Sequence, residues 1–284
     1  MTEIGPHDLS HLPPAAGRLG GAFARPKLIA VVCVIALAGL GWLYLALLTA
    51  GNTVSLGALD VLCRAMTPEG TASLAGVGLI AAMWCAMTLA MMLPTAAPMI
   101  LTYAEIADTA ARKGERIVSP FVLAGGYSVV WFGLAGGATL AQIAFTRATL
   151  LDTGMASASG LFSGAIFIAA GLYQFSALKH ACLRQCQQPF PFFFANWATT
   201  PRGVFRLGLK QGLYCVGCCW AMMAVMFAVG VMNVIWMAAL GIVMTIEKMG
   251  TGRRFTHIVG IVLILAGIAF VASAFAAHWP GRMI

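Results

Sequence analysis

Charge is what this sequence has least of. Asp, Glu, Lys and Arg make up 9% of it, where soluble globular domains carry about 25%. That deficit excludes an ordinary water-soluble domain. Acidic residues are the scarcer sign, 9 against 17 Lys and Arg. None falls deep inside an apolar run, so the buried carboxylates of proton-coupled transporters are missing. Familiar catalytic patterns are missing as well: no P-loop, no dinucleotide glycine fingerprint, no His-Glu-x-x-His and no Gly-x-Ser-x-Gly elbow. These absences weigh against an enzyme. Eight cysteines in 284 residues are too sparse for a small disulfide-stapled secreted domain. No short apolar core with a small-residue cleavage site opens the chain, so no cleavable signal peptide is expected. Residues 1–27, with Pro6, Pro13, Pro14 and Pro26, read instead as a disordered cytoplasmic tail, and His7 and His11 as solvated side chains within it.

Apolar length is what the chain has in abundance. Hydrophobic residues form 61% of it, and mean hydropathy is +0.90. Seven apolar runs stand out: Leu28–Ala50, Leu74–Leu93, Pro120–Phe145, Gly160–Leu178, Leu213–Val229, Met232–Ile246 and Ile258–Ala277. Runs of about 20 apolar residues cross a bilayer as helices, which satisfy their own backbone groups. The expected fold is all-α, a polytopic transmembrane helical bundle forming one domain over residues 28–284. Gly230–Val231 would join the fifth and sixth spans as a tight hairpin. The net charge of +8 is unevenly placed: Arg64, Arg147 and Arg282 lie on one side, and the remaining Lys and Arg fall in the loops of the other. The positive-inside rule then sets the N-terminus in the cytoplasm. Basic residues between apolar runs meet anionic lipid, so the lipid bilayer is an expected partner and nucleic acid is not. In the longest basic loop, Pro189 and Pro191 are expected to break any helix. The cluster Phe190, Phe192, Phe193, Phe194 and Trp197 is expected at headgroup level or against the bundle.

Sulfur is concentrated within these spans. The stretch Gly208–Met226, GLKQGLYCVGCCWAMMAVM, holds Cys215, Cys218 and Cys219. On a helix these share one face at i, i+3 and i+4. Gly212 and Gly217 would let another helix approach. Thiolate sulfur favours Cu(I), Zn(II) or iron–sulfur clusters. A single buried cysteine is ordinarily a small hydrophobe, but three within five residues make that reading the weaker one. Just past the fourth span, His180, Cys182 and Cys186 offer an imidazole and two more thiols. The fourth span exits and the fifth enters on the same, reducing side, so the two groups can be neighbours and their thiols free for metal. On the second span Met83, Met87 and Met91 step by four, with Met92 and Cys85 alongside, before Pro94 and Pro98 kink or end the helix. Met222 and Met226 continue the cysteine face. Any one methionine is as readily core packing. Cysteines at the mouth with methionines deeper would form a graded path for a soft monovalent ion. Glu247–Lys248 ends the sixth span and reads as an interfacial pair, with Lys179 or Lys210 as other partners for the acid.

The blocks MWCAMTLAMMLPTAAPMI (Met83–Ile100), GLYQFSALKHACLRQCQQP (Gly171–Pro189), GLYCVGCCWAMM (Gly212–Met223), GVMNVIWM (Gly230–Met237) and EKM (Glu247–Met249) resemble a bacterial domain-of-unknown-function family of predicted metal-binding integral membrane proteins. The resemblance covers about Leu74 to Met249 and is most specific at YCVGCCW. It implies metal binding in the bacterial inner membrane as a multi-pass protein, with no established catalytic activity. Members often carry a histidine where this chain has Gln211.

Three readings follow. The first is a Cu(I)-handling membrane protein for delivery, export or cuproprotein maturation, with a copper-carrying or copper-receiving protein as partner. Its candidate ligands are Cys215, Cys218, Cys219, Cys182, Cys186, His180, Met222, Met226, Met83, Met87 and Met91. The second is a thiol–disulfide oxidoreductase, disfavoured by thiols on the reducing side. The third is a structural zinc site, which four cysteines from two elements also suit but which has no use for thioethers.

Overall fold

The computed structural model describes residues 39, 43, 73–115, 117–151, 159–231, 233–249 and 252–278. The expected tail lies outside the described residues, as does the first apolar run apart from two isolated positions. The elements among the described residues are helices: α1 Leu74–Arg112, α2 Pro120–Arg147, α3 Gly160–Tyr173, α4 Ala177–Gln187, α5 Pro189–Ala195, α6 Pro201–Ala224, α7 Met226–Val229, α8 Val234–Lys248 and α9 Gly252–His278. Polar caps start most of them. Ser73 Oγ accepts from Gly76 N at 3.0 Å, Ser176 Oγ from Lys179 N at 3.1 Å, Thr200 Oγ1 from Gly203 N at 3.2 Å and Asn233 Oδ1 from Trp236 N at 3.2 Å. Each satisfies an amide that the first helical turn leaves without a partner.

Helical spans replace the apolar runs with shifted ends. Four are long and apolar enough to cross a membrane: Leu74–Arg112, Pro120–Arg147, Pro201–Val229 and Gly252–Ala276. A fifth candidate is the pair α3 and α4, bent by 65° at its break. The count of seven spans is therefore not reached among the described residues. The sixth run forms α8, which has 15 residues. At 1.5 Å per residue it is about 22 Å long, short of a hydrocarbon core about 30 Å thick. Pro94 and Pro98 do not end α1. Each proline removes one backbone bond, but the helix keeps a buried stripe on both sides of them, from Met83 through Met99 to Ala107. Pro189 does stop a helix: α4 ends at Gln187, and Pro189 and Pro191 fall in the first turn of a new one, α5, where their missing N–H groups would be unpaired anyway. The aromatic cluster divides: Phe192 and Phe193 are buried, while Phe190 and Phe194 are exposed. Phe193 packs 5.4 Å from the Tyr103 ring of α1.

Glycines set the closest approaches. Along α3 and α9, a Cβ at Gly164 would lie 2.8 Å from the Gly267 carbonyl oxygen, and one at Gly171 would lie 2.8 Å from the Gly260 carbonyl oxygen. Where α2 crosses α6, a Cβ at Gly126 would lie 3.2 Å from the Cα of Gly208. Outward, α9 presents Ile258, Ile261, Val262, Leu265, Ile268 and Phe275 to its surroundings. A continuous apolar outer face of this kind suits lipid better than water. Inside, the buried Gln142 amide oxygen accepts from Trp84 Nε1 at 2.6 Å.

Candidate metal centre

The site begins with α6. Thr200 caps it and Pro201 occupies its first turn, so the helix starts well before the apolar run at Leu213. Its buried face then carries Gly208, Gln211, Gly212, Cys215, Cys218, Cys219 and Met222. The three sulfurs lie within 4.8 Å of one another, and Cys215 Sγ is 4.0 Å from Cys219 Sγ. Cys218 and Cys219 donate back to the Cys215 carbonyl oxygen, at 3.1 Å and 2.8 Å. All three residues are at most 2% exposed. The described cysteines, Cys182 and Cys186 included, are free thiols.

The two expected glycines work as approach points, toward different helices. Gly212 admits α2: a Cβ there would be 3.1 Å from the Tyr127 carbonyl oxygen. This contact, one turn on from the Gly126–Gly208 crossing, brings the Tyr127 hydroxyl to 3.1 Å from Cys215 Sγ. Gly217 admits α4: a Cβ there would be 3.3 Å from Cys182 Cβ. One turn along α4, Cys186 lines the same small cavity as Cys215, together with Thr95, Met99, Tyr127, Gln211 and Lys248. The two cysteine elements expected to be neighbours are neighbours. Cys186 and Cys215, one from each element, line this cavity, which has room for about one small ion or water.

The PpoB2 copper chaperone family model matches residues 81–270. The chain belongs to the PpoB2 copper chaperone family. The matched region extends past the blocks read from sequence to include most of α9. It places the metal-handling resemblance in a copper context. No curated protein and no solved structure matches the chain.

The donor set fits a copper chaperone of this family. A cation about 2.3 Å from each thiolate holds the sulfurs about 4 Å apart when they surround it, and the 4.0 Å between Cys215 and Cys219 meets that. The surroundings are soft as well. Cys219 Sγ lies 3.9 Å from Met92 Sδ, adding a thioether beside the trio.

The other residues expected at the site are spread over several elements. His180 packs against His257 of α9, ring centroids 5.4 Å apart. It precedes Cys182 by two residues, about 200° around a helix, so it faces away from the thiols. Met91 is buried but turns toward α8, where a Cβ at Gly241 would be 3.9 Å from its terminal methyl. Its neighbour Met92 takes the place beside Cys219. Met83 and Met87 are fully buried in the core of α1, and Met226 is fully buried at the start of α7. Met222 Sδ accepts from Gln174 Nε2 at 3.1 Å.

Sequence reading missed the charged wall of the site. Lys248 Nζ donates to Cys215 Sγ at 3.0 Å and to Thr95 Oγ1 at 2.7 Å. Its neighbour Glu247 is 2% exposed and pairs at 2.8 Å with Lys179 Nζ, one of the two lysines expected as its other partners. Gln187 of α4 donates to the Glu247 carbonyl oxygen at 2.7 Å. The signal was the brevity of the apolar run before Glu247: a helix too short to cross a membrane can end inside the bundle.

Proposed function

We propose that this protein is an integral-membrane copper chaperone that holds Cu(I) on Cys215, Cys218 and Cys219 and passes it to a cuproprotein. The observation that carries the reading is the buried trio of sulfurs on one turn of α6. Family membership supports the metal, and thiolate with thioether donors supports its monovalent state. Cys186, on the wall facing Cys215, is the ligand from the second element, and Cys182 behind it is the relay toward the loop. Met92 receives the ion on the far side of the trio. The cytoplasm is the loading side, because the loops next to α4 and α6 carry Lys179, Arg184, Arg202, Arg206 and Lys210. Partners are a copper donor on that side and an acceptor enzyme.

The test is copper content after purification in detergent under reducing conditions. The wild type is expected to retain Cu(I), with an X-ray absorption spectrum dominated by sulfur scattering. A Cys215→Ser, Cys218→Ser, Cys219→Ser variant is expected to retain none. Equal copper in both, or none in either, refutes the assignment. Zinc in place of copper on the wild type supports a structural zinc site instead.

A further inference from the structure

The wall of the site holds a cation of its own. Lys248 lies at the C-terminal end of α8, and its ammonium is shared between Cys215 Sγ at 3.0 Å and Thr95 Oγ1 at 2.7 Å. It is held there from behind. Glu247, the preceding residue, forms an ion pair with Lys179 in which both side chains are at most 2% exposed, and Gln187 Nε2 bonds the Glu247 carbonyl oxygen. The backbone that carries Lys248 is therefore anchored at a buried polar junction between α8 and α4.

We propose that Lys248 is the charge-selecting residue of this site, favouring a monovalent over a divalent cation on the cysteine trio. The inference rests on the copper reading above and adds its selectivity. Cu(I) and Zn(II) both gain the three cysteine sulfurs, so the thiolates alone do not separate them. A fixed positive charge does. Its repulsion of the entering ion scales with the ion's charge, so Zn(II) meets twice the penalty of Cu(I). At about 5 Å and an effective dielectric near 20, one extra unit of charge corresponds to a factor on the order of a hundred in affinity. Thr95 and Tyr127 complete the arrangement. Thr95 anchors the ammonium, and the Tyr127 hydroxyl, 3.1 Å from the same sulfur, adds a neutral dipole that leaves the charge balance to Lys248.

The experiment measures Cu(I) and Zn(II) affinities separately, by competition with chromophoric chelators, on the detergent-solubilised full chain under reducing conditions. Lys248→Met is expected to lower the ratio of Cu(I) to Zn(II) affinity at least tenfold, and Lys248→Arg to keep it within about threefold of the wild type. Lys248→Gln, which retains a hydrogen-bond donor toward Thr95 without the charge, carries the same expectation as the Met variant where that variant does not fold. A ratio unchanged or raised in the uncharged variants, on a wild type that binds Cu(I), overturns the inference and leaves the copper reading standing. A wild type that binds neither ion overturns both.

Discussion

The α3–α9 interface and the junction of α4, α6 and α8 both bring helices into close contact, but with opposite materials. The first is made of absence. Gly164, Gly171, Gly260 and Gly267 leave out side chains so that backbones meet, and side chains such as Val271, Ile264 and Ile168 pack against them. The second is made of expensive groups: a buried Lys179–Glu247 pair, the Lys248 ammonium and three cysteines. Glycine contacts give membrane-type helices their van der Waals packing and carry no chemistry. Buried charges cost several kcal/mol each to desolvate, so a fold has little reason to keep them where glycine would suffice. The contrast locates function in the second interface and scaffold in the first. It can be broken by asking whether stability and metal binding separate along the same line.

The largest effect is expected at the ion pair. Lys179→Met leaves Glu247 buried without its hydrogen-bonded counter-charge, and truncation of one partner of such a pair costs about 3–5 kcal/mol. The double variant Lys179→Met, Glu247→Met replaces both charges by apolar chains and is expected to recover most of that loss. Reversible denaturation in detergent reads both. A single variant within about 1 kcal/mol of wild type would remove the pair from the list of what holds α8 to α4.

The glycine interface comes next. Gly164→Ala puts a Cβ against the Gly267 carbonyl oxygen and the Val271 side chain. Overpacking of this kind costs about 1–3 kcal/mol. Gly136→Ala on α2, where nothing lies within 4 Å of the added carbon, is the control, expected to be neutral or to stabilise by about 0.5–1 kcal/mol through helix propensity. Copper bound per folded chain is expected to be unchanged in both. If Gly164→Ala instead lowers copper occupancy of the folded fraction, the two interfaces are not separable and the contrast fails.

The same contrast explains which parts of the molecule were legible in the sequence. Helix type followed from apolar length, and the pairing of Cys182–Cys186 with Cys215–Cys219 followed from two thiol groups on one side of the bundle. Gly212 and Gly217 were recognisable as approach points because glycine next to cysteine on an apolar helix has few other uses. What escaped was any feature depending on where a helix stops. Apolar character alone does not distinguish α8 from a full crossing; only its length of 15 residues does, and reading the run as a span puts Glu247 and Lys248 at a surface rather than in the core. Proline position was legible in one place: α4 stops at Gln187, just before Pro189, and a new helix begins there. Pro94 and Pro98, by contrast, lie inside α1. His180 was drawn in by adjacency in sequence to Cys182, whereas the helix turns it toward α9.

The smallest effect expected, and the one that sharpens the contrast most finely, is at adjacent methionines. Met92 and Met91 are each at most 2% exposed, so burial does not tell them apart. Contact does: Met92 Sδ lies 3.9 Å from Cys219 Sγ, while Met91 faces Gly241 of α8. Leucine is close to methionine in volume, and such swaps in a core cost less than about 1.5 kcal/mol. Met92→Leu and Met91→Leu are therefore expected to unfold at similar denaturant concentrations. Only the first removes a soft donor next to the trio. Met92→Leu is expected to weaken Cu(I) affinity several-fold and to leave Zn(II) affinity unchanged, since zinc sites draw on Cys, His and carboxylate rather than thioether. Met91→Leu is expected to alter neither. Equal Cu(I) affinities in the two variants would mean that Met92 packs against the site without serving it, and that the functional interface ends at the cysteines and Lys248.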